Sequence, residues 1–504
     1  MEQLKLQYGD VIEVTIESTG FEGKSVARVE GLVVFVEGAV EGDVVKAKIL
    51  KTKKKHAEAK VVEVLKPSPK RIVPRCSYFG TCGGCKWQHV DYNAQLHFKQ
   101  QHVVDAIERI GGMKDVPILP IIGSDDIYFY RNKLEFSFSE KAWQTTTLAS
   151  RDVFLSDAPK GQAKNPADEL TPDSSVVPIA SGLLQNDTSL ALGFHVPQRW
   201  DKVLDVHECF LQSELSNGIL NAVREFALSK NIPAYSQETE SGYFRNLVIR
   251  EGKNTGDVMV NVVTFEDKPE IMSKLSAELT KKFPEITTVI NNVNLRKSQV
   301  AVGDFEKVYH GEGIIHDKIG GKLFQISANS FFQTNTKQAE KLYSIAKEFA
   351  GLKPTDVVYD LYCGTGSIAL YISDAVKQVI GIELVESSII NARMNAQLNA
   401  VENCEFIAGD LKDLLTKDVE WKGQYSHPDV IFVDPPRSGM HPKAVEELGR
   451  LKVPTVVYVS CNPATLARDL QMLTKYGYTV EKVQPVDMFP HTYHIECVAK
   501  IVLQ

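Results

Sequence analysis

A cysteine near the C-terminal end of the sequence occupies a position where a reactive thiol could act. The sequence around it reads Val-Val-Tyr-Val-Ser-Cys-Asn-Pro-Ala, with the thiol at Cys461. The apolar run before it predicts a buried strand, and a helical pattern follows Pro463. A helix N-terminus lowers the pKa of a thiol and favours the nucleophilic thiolate, so the pattern predicts a nucleophile. A small buried cysteine without chemistry is the alternative interpretation.

A glycine-rich turn earlier in the sequence is typical of a cofactor site. The predicted strand 357–360 leads into Leu-Tyr-Cys-Gly-Thr-Gly-Ser at 361–367, and a helical pattern follows. Glycines there let the backbone pass close to a ligand at the carboxyl edge of a sheet. Glu383 ends the next predicted strand, where a carboxylate suits a ribose with both hydroxyls free. Asp410 follows the third predicted strand and could face an adenine ring.

Two further features bear on which cofactor such a turn would hold. The full Gly-x-Gly-x-x-Gly pattern of NAD sites is absent. The fourth predicted strand ends in Asp-Pro-Pro-Arg, beginning at Asp434, and Asp-Pro-Pro after a strand is familiar from methyltransferases that act on flat nucleobases. Together these features favour S-adenosylmethionine over NAD.

A group of cysteines in the first part of the chain has the spacing of a metal site. Cys76, Cys82 and Cys85 form a C-x5-C-x2-C pattern with two glycines before the last thiol, and Cys209 is a candidate fourth ligand. Thiolates at short spacing bind soft metals. Four thiolates suit a structural zinc ion or an iron–sulfur cluster equally well, and the spacing leaves both open. A structural role is favoured because no ligand position is obviously left open.

The elements that must position these residues fall into three predicted domains. Residues 1–66 contain short β-type runs separated by glycine-rich turns, which predict a small barrel of the oligonucleotide-binding type. Residues 67–330 form a central α+β domain with the cysteine cluster and an amphipathic helix at 91–110. Within it, the polar segment 141–190 is predicted to be an inserted loop.

The third predicted domain, 331–504, has a regular alternation of strands and helices. This alternation predicts a Rossmann-like, doubly wound parallel sheet that carries both the glycine turn and Cys461. The whole chain is therefore a multidomain α/β protein. The basic run 51–56, which joins two strands of the barrel, is a candidate phosphate contact.

Composition limits the possible environments of the protein. The chain has 504 residues, 43% of them hydrophobic, and a formal net charge of −7, which weakly opposes a nucleic-acid partner. Eight cysteines in a chain of this length do not form a disulfide scaffold. With no apolar leader and no stretch that would span a bilayer, we expect a cytoplasmic protein with no membrane partner. No feature indicates an obligate protein partner.

Taken together, these motifs resemble the RNA uracil carbon-5 methyltransferases, the family that makes 5-methyluridine in ribosomal and transfer RNA. The resemblance covers nearly the whole chain apart from the polar insertion. It implies that the N-terminal barrel is a TRAM domain and that RNA is the partner. It also implies a four-iron, four-sulfur cluster on the four cysteines, as in the ribosomal-RNA branch of the family, and so favours iron over zinc. The barrel and cluster favour 23S ribosomal RNA as the substrate.

The resemblance also assigns roles to individual residues. Gln333, in Phe-Gln-Thr-Asn, matches a glutamine that contacts the cofactor or the target base. Tyr362, Glu383 and Asp434 match cofactor-binding positions. Ser-Cys-Asn-Pro around Cys461 matches the nucleophile motif. His-Ile-Glu, ending at Glu496, matches the motif whose glutamate is the general base.

These roles imply a mechanism of covalent catalysis. The Cys461 thiolate would add to carbon-6 of uracil, which makes carbon-5 nucleophilic enough to accept the methyl group. Glu496 would then remove the proton from carbon-5, and elimination would release the enzyme. The target base would have to leave its stack to reach the thiol. Arg437 and Arg468 are candidate phosphate contacts, with ordinary salt bridges as the alternative.

Three other functions remain open at the level of sequence. A transfer-RNA uridine methyltransferase of the same family would have the same motifs. An RNA N-methyltransferase acting on an exocyclic amine would also suit Asp-Pro-Pro, but it would not need the thiol of Cys461. A non-catalytic RNA-binding iron–sulfur protein would use the barrel and the cluster, and it would not bind S-adenosylmethionine.

Overall fold

The computed structural model describes residues 6–143, 190–197, 199–297, 301–411 and 425–504. Most of the predicted insertion at 141–190 therefore lies outside the described residues. Among the helices that are described, none is long and apolar enough to cross a membrane.

The N-terminal part is a six-stranded barrel-like sheet built from short alternating strands. Its strands pair in the order β1-β5-β6-β4-β3-β2, and β4 with β6 is the parallel pair. The inward-facing residues are small or β-branched, as alternation predicts, and Val34, Val45 and Ile49 are fully buried. The strands are β1 Val11–Thr15, β2 Ser18–Thr19, β3 Ser25–Val29, β4 Leu32–Glu37, β5 Val44–Thr52 and β6 His56–Lys66.

Within the described residues, the central part contains a seven-stranded sheet and three helices. The strand order is β13-β12-β11-β10-β7-β8-β9; β11 and β12 run parallel, and the other described pairs run antiparallel. Helix α1 continues into a π-helical turn at Ala106–Ile110, so the predicted helix 91–110 is present with a change of winding near its end. The elements are α1 Tyr92–Asp105, β7 Lys133–Ser139, β8 Ala191–Val196, β9 Arg199–Asp205, α2 Glu214–Ser229, β10 Phe244–Glu251, β11 Val258–Thr264, α3 Pro269–Lys282, β12 Thr288–Val293 and β13 Phe305–His310.

A hairpin of two strands, β14 Ile314–Ile319 and β15 Lys322–Ser327, leads into the last part of the chain. Its buried residues, such as Ile319 and Phe324, belong to the same apolar core as the C-terminal sheet. The predicted domain boundaries at residues 66 and 330 stay a prediction.

The C-terminal part is a seven-stranded sheet with helices between its strands. The order is β18-β17-β16-β19-β20-β22-β21, and the strand order reverses between β16 and β19. The elements are α4 Thr336–Ala350, β16 Val357–Leu361, α5 Ser367–Ile372, β17 Gln378–Glu383, α6 Glu386–Leu398, β18 Cys404–Ala408, β19 Val430–Val433, α7 Pro442–Leu451, β20 Thr455–Ser460, α8 Pro463–Thr474, β21 Tyr478–Val486 and β22 Glu496–Leu503.

The last two strands depart from the parallel pattern. The first five strands of this sheet are parallel, as the alternation predicts, but β22 runs antiparallel to both β20 and β21. The connection 487–495 between β21 and β22 is too short for the crossover that a parallel pair requires. The sheet is therefore mixed, and the point where its order reverses is the expected position of a ligand crevice.

Candidate active site

Cys461 follows directly after β20, at the carboxyl edge of the sheet. Asn462 caps helix α8, because its side-chain oxygen accepts a hydrogen bond from the Ala464 N–H at 3.1 Å. The Asn462 amide also donates to the Arg437 carbonyl at 3.1 Å. Pro463 occupies the first helical turn, where its missing N–H costs nothing. The local sequence therefore holds Cys461 at the strand-to-helix turn, half-buried.

The pairing of β20 with β22 places Glu496 beside this thiol. Ser460 lies opposite Cys497 in the antiparallel register, so the next residue on one strand, Cys461, lies near the preceding residue on the other, Glu496. The charge of Glu496 acts on the thiol and raises its pKa. The structure thus brings together two residues that the sequence separates widely.

The ionisation of Cys461 differs from the expectation. Burial first, and then the charges of Glu496 and Asp434, raise the pKa of the thiol to about 11, while Arg437 acts in the opposite direction. The prediction of a lowered thiol pKa is therefore wrong for the free protein. Desolvation and two neighbouring carboxyl groups outweigh the helix N-terminus.

The carboxyl groups around the thiol are themselves hard to ionise. Glu496 is only 7% exposed, and burial followed by the Asp434 charge raises its pKa well above the ordinary value. Burial raises the pKa of Asp434 to about 7. Arg437 is the neighbouring charge that acts in the opposite direction and favours the Glu496 carboxylate.

Arg437 lies on the turn after β19 and faces the connection between β21 and β22. Its Nη2 lies 2.9 Å from His494 Nδ1. Burial and the Arg437 charge lower the pKa of His494 to about 4, so the imidazole is neutral and can accept this hydrogen bond.

Arg468 lies on helix α8, and its guanidinium contacts the turn after β19. It donates hydrogen bonds to the carbonyls of Ser438 and Met440, both at 3.1 Å, and its guanidinium pairs with the buried Asp469. Asp469 also accepts from the Met440 N–H at 2.9 Å. Arg468 therefore stabilises the turn that carries Asp434 and Arg437, and its guanidinium is engaged within the protein.

The glycine turn after β16 lies at the same edge of the sheet. Leu361 is aligned with Ile382 on one side and with Val433 on the other, so the residues that follow, Tyr362, Glu383 and Asp434, emerge together. Tyr362 has a φ of +64°, a strained conformation for a residue with a Cβ. Such strain is common at ligand sites.

The residues around this turn fit S-adenosylmethionine, which carries a positive charge. Gly364 has a φ of +52° and open space where a Cβ would lie, so its backbone is accessible to a ligand. Glu383 accepts hydrogen bonds from the N–H groups of Gly364 at 3.2 Å and Val385 at 2.9 Å. Among the described residues, the buried Asp360 Oδ1 has no hydrogen-bond partner. Burial and the charges of Asp434 and Glu383 raise the pKa of Asp360 to about 8, so three carboxyl groups share this region.

Gln333 reaches the same region from the segment before α4. Its carbonyl accepts a hydrogen bond from Asn132 Nδ2 at 2.7 Å, and its side chain bonds to Tyr343. The Tyr343 hydroxyl lies 2.9 Å from Ser367 Oγ at the start of α5. Burial, and after it the charge of Asp434, raises the pKa of the Tyr343 hydroxyl. Gln333 therefore lies between the central part of the chain and the glycine turn.

The four cysteines predicted to bind metal line one cavity in the central part. The Gly84 N–H donates to Cys82 Sγ at 3.4 Å, and Gln88 Nε2 donates to Cys85 Sγ at 3.2 Å. Burial raises the pKa of Cys76 to about 12 and that of Cys209 to about 11. The charges of the other thiols act in the same direction, which shows that the four lie near one another.

Their arrangement does not match a single-ion site. In the part of the chain that the structure describes, no three or more His, Cys, Asp or Glu side chains are grouped closely enough to hold one metal ion. A zinc ion requires its thiolates at about 2.3 Å from one point. The identity of the group that the four cysteines would hold therefore stays a prediction.

The connection 487–495, which precedes Glu496, is held by helix α1 and by the cysteine loop. Lys99 Nζ and Asp487 Oδ1 form a fully buried ion pair at 2.6 Å. Gln95 Oε1 accepts from the His491 N–H at 2.8 Å. The N–H groups of Lys86 and Trp87, directly after Cys85, donate to the His491 carbonyl at 2.8 and 3.0 Å. The position of Glu496, the general base predicted from sequence, thus depends on contacts that the sequence pattern did not indicate.

The N-terminal barrel contributes to the surroundings of the thiol. A cavity of about 200 Å³ is lined by Cys461, Arg437 and His494, and also by Glu22 of the barrel and His102 of α1. Sequence reasoning missed Glu22 and His102, since neither belongs to a motif and nothing local places them beside the thiol.

Comparison with known proteins gives three kinds of match, to family profiles, to relatives by sequence and to a solved structure. A profile described as tRNA (uracil-5-)-methyltransferase matches residues 278–503, and a TRAM domain profile matches residues 5–62. An uncharacterized RNA methyltransferase of Chlorobaculum tepidum is 42% identical over 99% of this chain and 98% of its own length. One from Bacteroides thetaiotaomicron is also 42% identical, over 96% of this chain and 99% of its own length.

A crystal structure of the Pyrococcus abyssi tRNA (uracil-54, C5)-methyltransferase with S-adenosyl-L-homocysteine is similar over nearly the whole chain. It covers 97% of this chain and 100% of its own, with a TM-score of 0.72 and 28% identity. The similarity includes the barrel, the central part and the C-terminal sheet together, so the three-part architecture predicted from sequence is confirmed.

Proposed function

We infer that this chain, which belongs to the tRNA (uracil-5-)-methyltransferase family, methylates carbon-5 of an RNA uridine through a transient bond between Cys461 and the base. As a member of the family it is an S-adenosylmethionine-dependent RNA methyltransferase with a TRAM domain. The observation that carries the proposal is the β20–β22 register, which puts Cys461 and Glu496 side by side at the sheet edge.

The cofactor site of the proposal consists of Gln333, Tyr362, Glu383 and Asp434. When bound, S-adenosylmethionine supplies the methyl group as an electrophile. The carboxyl groups around the glycine turn would attract its positive charge, and the open backbone at Gly364 would let it approach closely. The charge of Asp434 acts both on Asp360 at the glycine turn and on the Cys461 thiol, so Asp434 would orient the base edge toward the cofactor.

The chemistry begins with the thiol. The Cys461 sulfur, as thiolate, forms a bond to carbon-6 of uracil, and the electron pair of the C5–C6 double bond moves into an enolate. Carbon-5 is then nucleophilic enough to be methylated. Because the pKa of the free thiol is about 11, the thiolate is scarce at neutral pH, and Arg437 is the charge that favours it.

In the last step of the proposed reaction, Glu496 acts as the general base. After methylation, carbon-5 carries both the methyl group and its original proton. The Glu496 carboxylate takes that proton, the C5–C6 double bond re-forms, and the bond to sulfur breaks. Glu496 acts in this step as its carboxylate, the form that the nearby Arg437 charge favours.

A cysteine substitution tests the mechanism. We expect Cys461→Ala to bind RNA and S-adenosylmethionine but to transfer no methyl group, measured with a tritiated methyl donor. Cys404→Ala is the matched control, since Cys404 lies on β18 away from the thiol site, and it should stay active. Full activity of Cys461→Ala would overturn the covalent mechanism and favour methylation of an exocyclic amine.

We propose 23S ribosomal RNA as the substrate, on the resemblance of the cysteine set and the barrel to the ribosomal-RNA branch. The test is to map 5-methyluridine in ribosomal and transfer RNA from a strain that lacks the gene. We expect a 23S position to lose its methyl group. Loss confined to transfer RNA would reassign the substrate.

We further propose that Cys76, Cys82, Cys85 and Cys209 hold a four-iron, four-sulfur cluster. The four thiols line one cavity and two N–H groups donate to their sulfurs, which supports the proposal. The test is anaerobic purification followed by measurement of iron, sulfide and zinc. Brown protein with iron and sulfide is the expected result, and stoichiometric zinc would contradict it.

A further inference from the structure

A glutamate of the N-terminal barrel lies beside the proposed nucleophile, which belongs to the C-terminal sheet. Glu22 is on the turn between β2 and β3, and it lines the cavity of about 200 Å³ that Cys461 also lines. Its φ is +61°, in the left-handed region. That conformation is unfavourable for a residue with a Cβ, and such strain is concentrated at ligand sites. The observation directs attention to what the Glu22 side chain binds.

Hydrogen bonds fix the turn that carries Glu22. The Gly20 N–H donates to the Lys24 carbonyl at 2.7 Å, which closes the turn. Trp87 Nε1 donates to the Gly23 carbonyl at 3.4 Å, which fixes the turn against the central part of the chain. The position of the Glu22 backbone at the wall of the cavity is therefore set by the fold.

The Glu22 carboxylate is available to a ligand. Its side chain is exposed and, within the part of the chain that the structure describes, forms no ion pair or hydrogen bond. Arg437 lines the same cavity, but its Nη2 contacts His494 Nδ1 at 2.9 Å instead. A free carboxylate repels the phosphates of an approaching RNA, so its position beside the thiol is unfavourable unless it contacts a base.

The cavity is distinct from the proposed cofactor site. Cys461 lines it, whereas none of the four residues proposed to hold S-adenosylmethionine is among the described residues that do. The target base must reach both the thiol and the cofactor, so this cavity suits a neighbouring nucleotide. Tyr493 and His494 also line it, with ring centroids 4.2 Å apart, and aromatic rings are surfaces on which unpaired RNA bases stack.

The chemistry of a carboxylate limits which base Glu22 can bind. An ionised carboxylate only accepts hydrogen bonds, through two oxygens. Guanine presents two adjacent donors, N1–H and the N2 amine, which match both oxygens at once. Adenine and cytosine present one amine beside a ring nitrogen that accepts, and uracil presents one N–H between two carbonyl oxygens. Those acceptors would face the second carboxylate oxygen, so guanine fits best.

We propose that Glu22 is a specificity-determining residue that binds a guanine next to the target uridine. The inference rests on the proposed function, since it needs the target uridine to reach Cys461. The barrel would then read one base of the substrate directly, in addition to any contacts that it makes with the RNA backbone.

The test uses short single-stranded RNAs with one 5-fluorouridine and cytidine at the other positions. Fluorine at carbon-5 cannot be removed as a proton, so the bond to Cys461 persists and fixes which nucleotides are its neighbours. Guanine, adenine, cytosine or uracil is placed on the 5′ or the 3′ side. With S-adenosylmethionine present, we expect adduct to form about tenfold faster with guanine than with uracil on one of the two sides, measured on denaturing gels.

A substitution of Glu22 should change the preferred base. Glu22→Gln replaces one acceptor by a donor, and an amide matches adenine, so we expect adenine to replace guanine as the favoured neighbour. A merely structural role would change the rate equally for all four bases. Glu30→Gln is the matched control and should keep the guanine preference. Glu30 is another exposed glutamate of the barrel that precedes a glycine with a left-handed φ, here +48°, and it does not line the cavity.

Equal rates with the four neighbouring bases in the wild type, or a guanine preference that Glu22→Gln retains, would overturn the role of Glu22. Absence of adduct with every RNA would instead count against the covalent mechanism. The affinities of the same RNAs, measured by fluorescence anisotropy without methyl donor, then decide the question. Tighter binding of the guanine RNAs by the wild type but not by Glu22→Gln would support the proposal, and equal affinities would overturn it.

Discussion

At the scale of single residues, the site holds a thiol and several carboxyl groups in buried surroundings that disfavour their charged forms. Burial is the largest cause of the raised pKa of Cys461, Glu496, Asp434 and Asp360 alike. Arg437, at the rim, is the positive charge that acts on both the thiol and Glu496. The same desolvation that makes the groups reluctant to ionise would make their charges strong once formed, which suits covalent chemistry on a neutral base.

Substitution of Glu496 should stop the reaction at a later step than substitution of Cys461. Glu496→Gln retains the size and burial of the side chain but cannot accept the carbon-5 proton. We therefore expect methyl transfer to occur and the enzyme to remain bonded to its RNA, with turnover reduced by about 10²–10⁴-fold. A denaturing gel that retains labelled RNA on the protein measures this. Normal turnover without the adduct would contradict the role of Glu496 as base.

Asp434 should make stability depend on pH. Its pKa is about 7 in the folded protein and near 3.8 when unfolded, so between these values the folded state binds more protons. The stability contributed by this group therefore falls as pH rises from about 4 to 7. We expect Asp434→Asn to remove this loss and to be more stable than wild type at pH 8, by up to about 4 kcal/mol.

Urea denaturation at pH 5 and pH 8 measures the effect of Asp434→Asn. Asp125→Asn, at an exposed carboxyl that pairs with Lys341, controls for the change of side chain. Equal pH dependence of the wild type and Asp434→Asn would show that the Asp434 carboxyl is not desolvated.

At the scale of elements, helix α1 and the connection 487–495 act as one structural unit. The buried pair of Lys99 and Asp487 fixes one end of the connection, and Gln95 fixes its middle at His491. His491 has a φ of +65°, a conformation that only such contacts would maintain. The connection ends at Glu496, so its order decides where the carboxyl group lies.

Loss of the Gln95 contacts should therefore affect the second half of the reaction. Gln95→Ala leaves the His491 N–H and the carbonyls of Trp87 and Val90 without this partner, at a cost of about 2–3 kcal/mol in stability. We expect turnover to fall about tenfold and the RNA adduct to accumulate, because Glu496 is displaced while Cys461 is not.

The matched control for this helix is Gln101→Ala, since Gln101 is exposed and its side-chain amide donates to Asp105 at 3.1 Å. It should leave both turnover and adduct at wild-type levels. A fall in turnover of Gln95→Ala without any adduct would mean that the helix positions the thiol or the RNA rather than the base.

At the scale of the whole molecule, the N-terminal barrel packs directly against the central and C-terminal parts of the chain. Gly23 lies between Trp87 and Tyr493, and Trp87 Nε1 donates to the Gly23 carbonyl at 3.4 Å. His102 Nε2 lies 3.1 Å from the Thr19 carbonyl. The turn between these contacts carries Glu22 into the cavity of the thiol. An RNA held by the barrel would thus be presented directly to Cys461.

A glycine substitution tests this docking. Gly23 has a φ of +77°, and a Cβ there would lie 3.2 Å from Trp87 Nε1 and 3.4 Å from Tyr493. We expect Gly23→Val to displace the barrel turn and to slow RNA methylation several-fold, with little change in S-adenosylmethionine binding by calorimetry. Gly31→Val is matched, because Gly31 has a φ of +84° with no atom within 4 Å of a built Cβ. Equal effects of both substitutions would indicate backbone strain alone.

Much of the architecture follows from local patterns. Alternating strands and glycine turns predict the barrel, and the βα alternation predicts the five parallel strands, since side-chain periodicity and turn residues act over a few neighbours. The same locality places Cys461 and the glycine turn at strand ends. The roles of Gln333, Tyr362, Glu383, Asp434 and the cysteines stay predictions.

What the tertiary structure alone decided are the relations between distant segments. The antiparallel return of β22 beside β20 brings Glu496 to Cys461. The tertiary structure also decided that the pKa of the Cys461 thiol is raised rather than lowered, because desolvation depends on all the groups packed around the sulfur. Strand register and burial arise from contacts far apart in the chain, and a local pattern of residues carries no information about them.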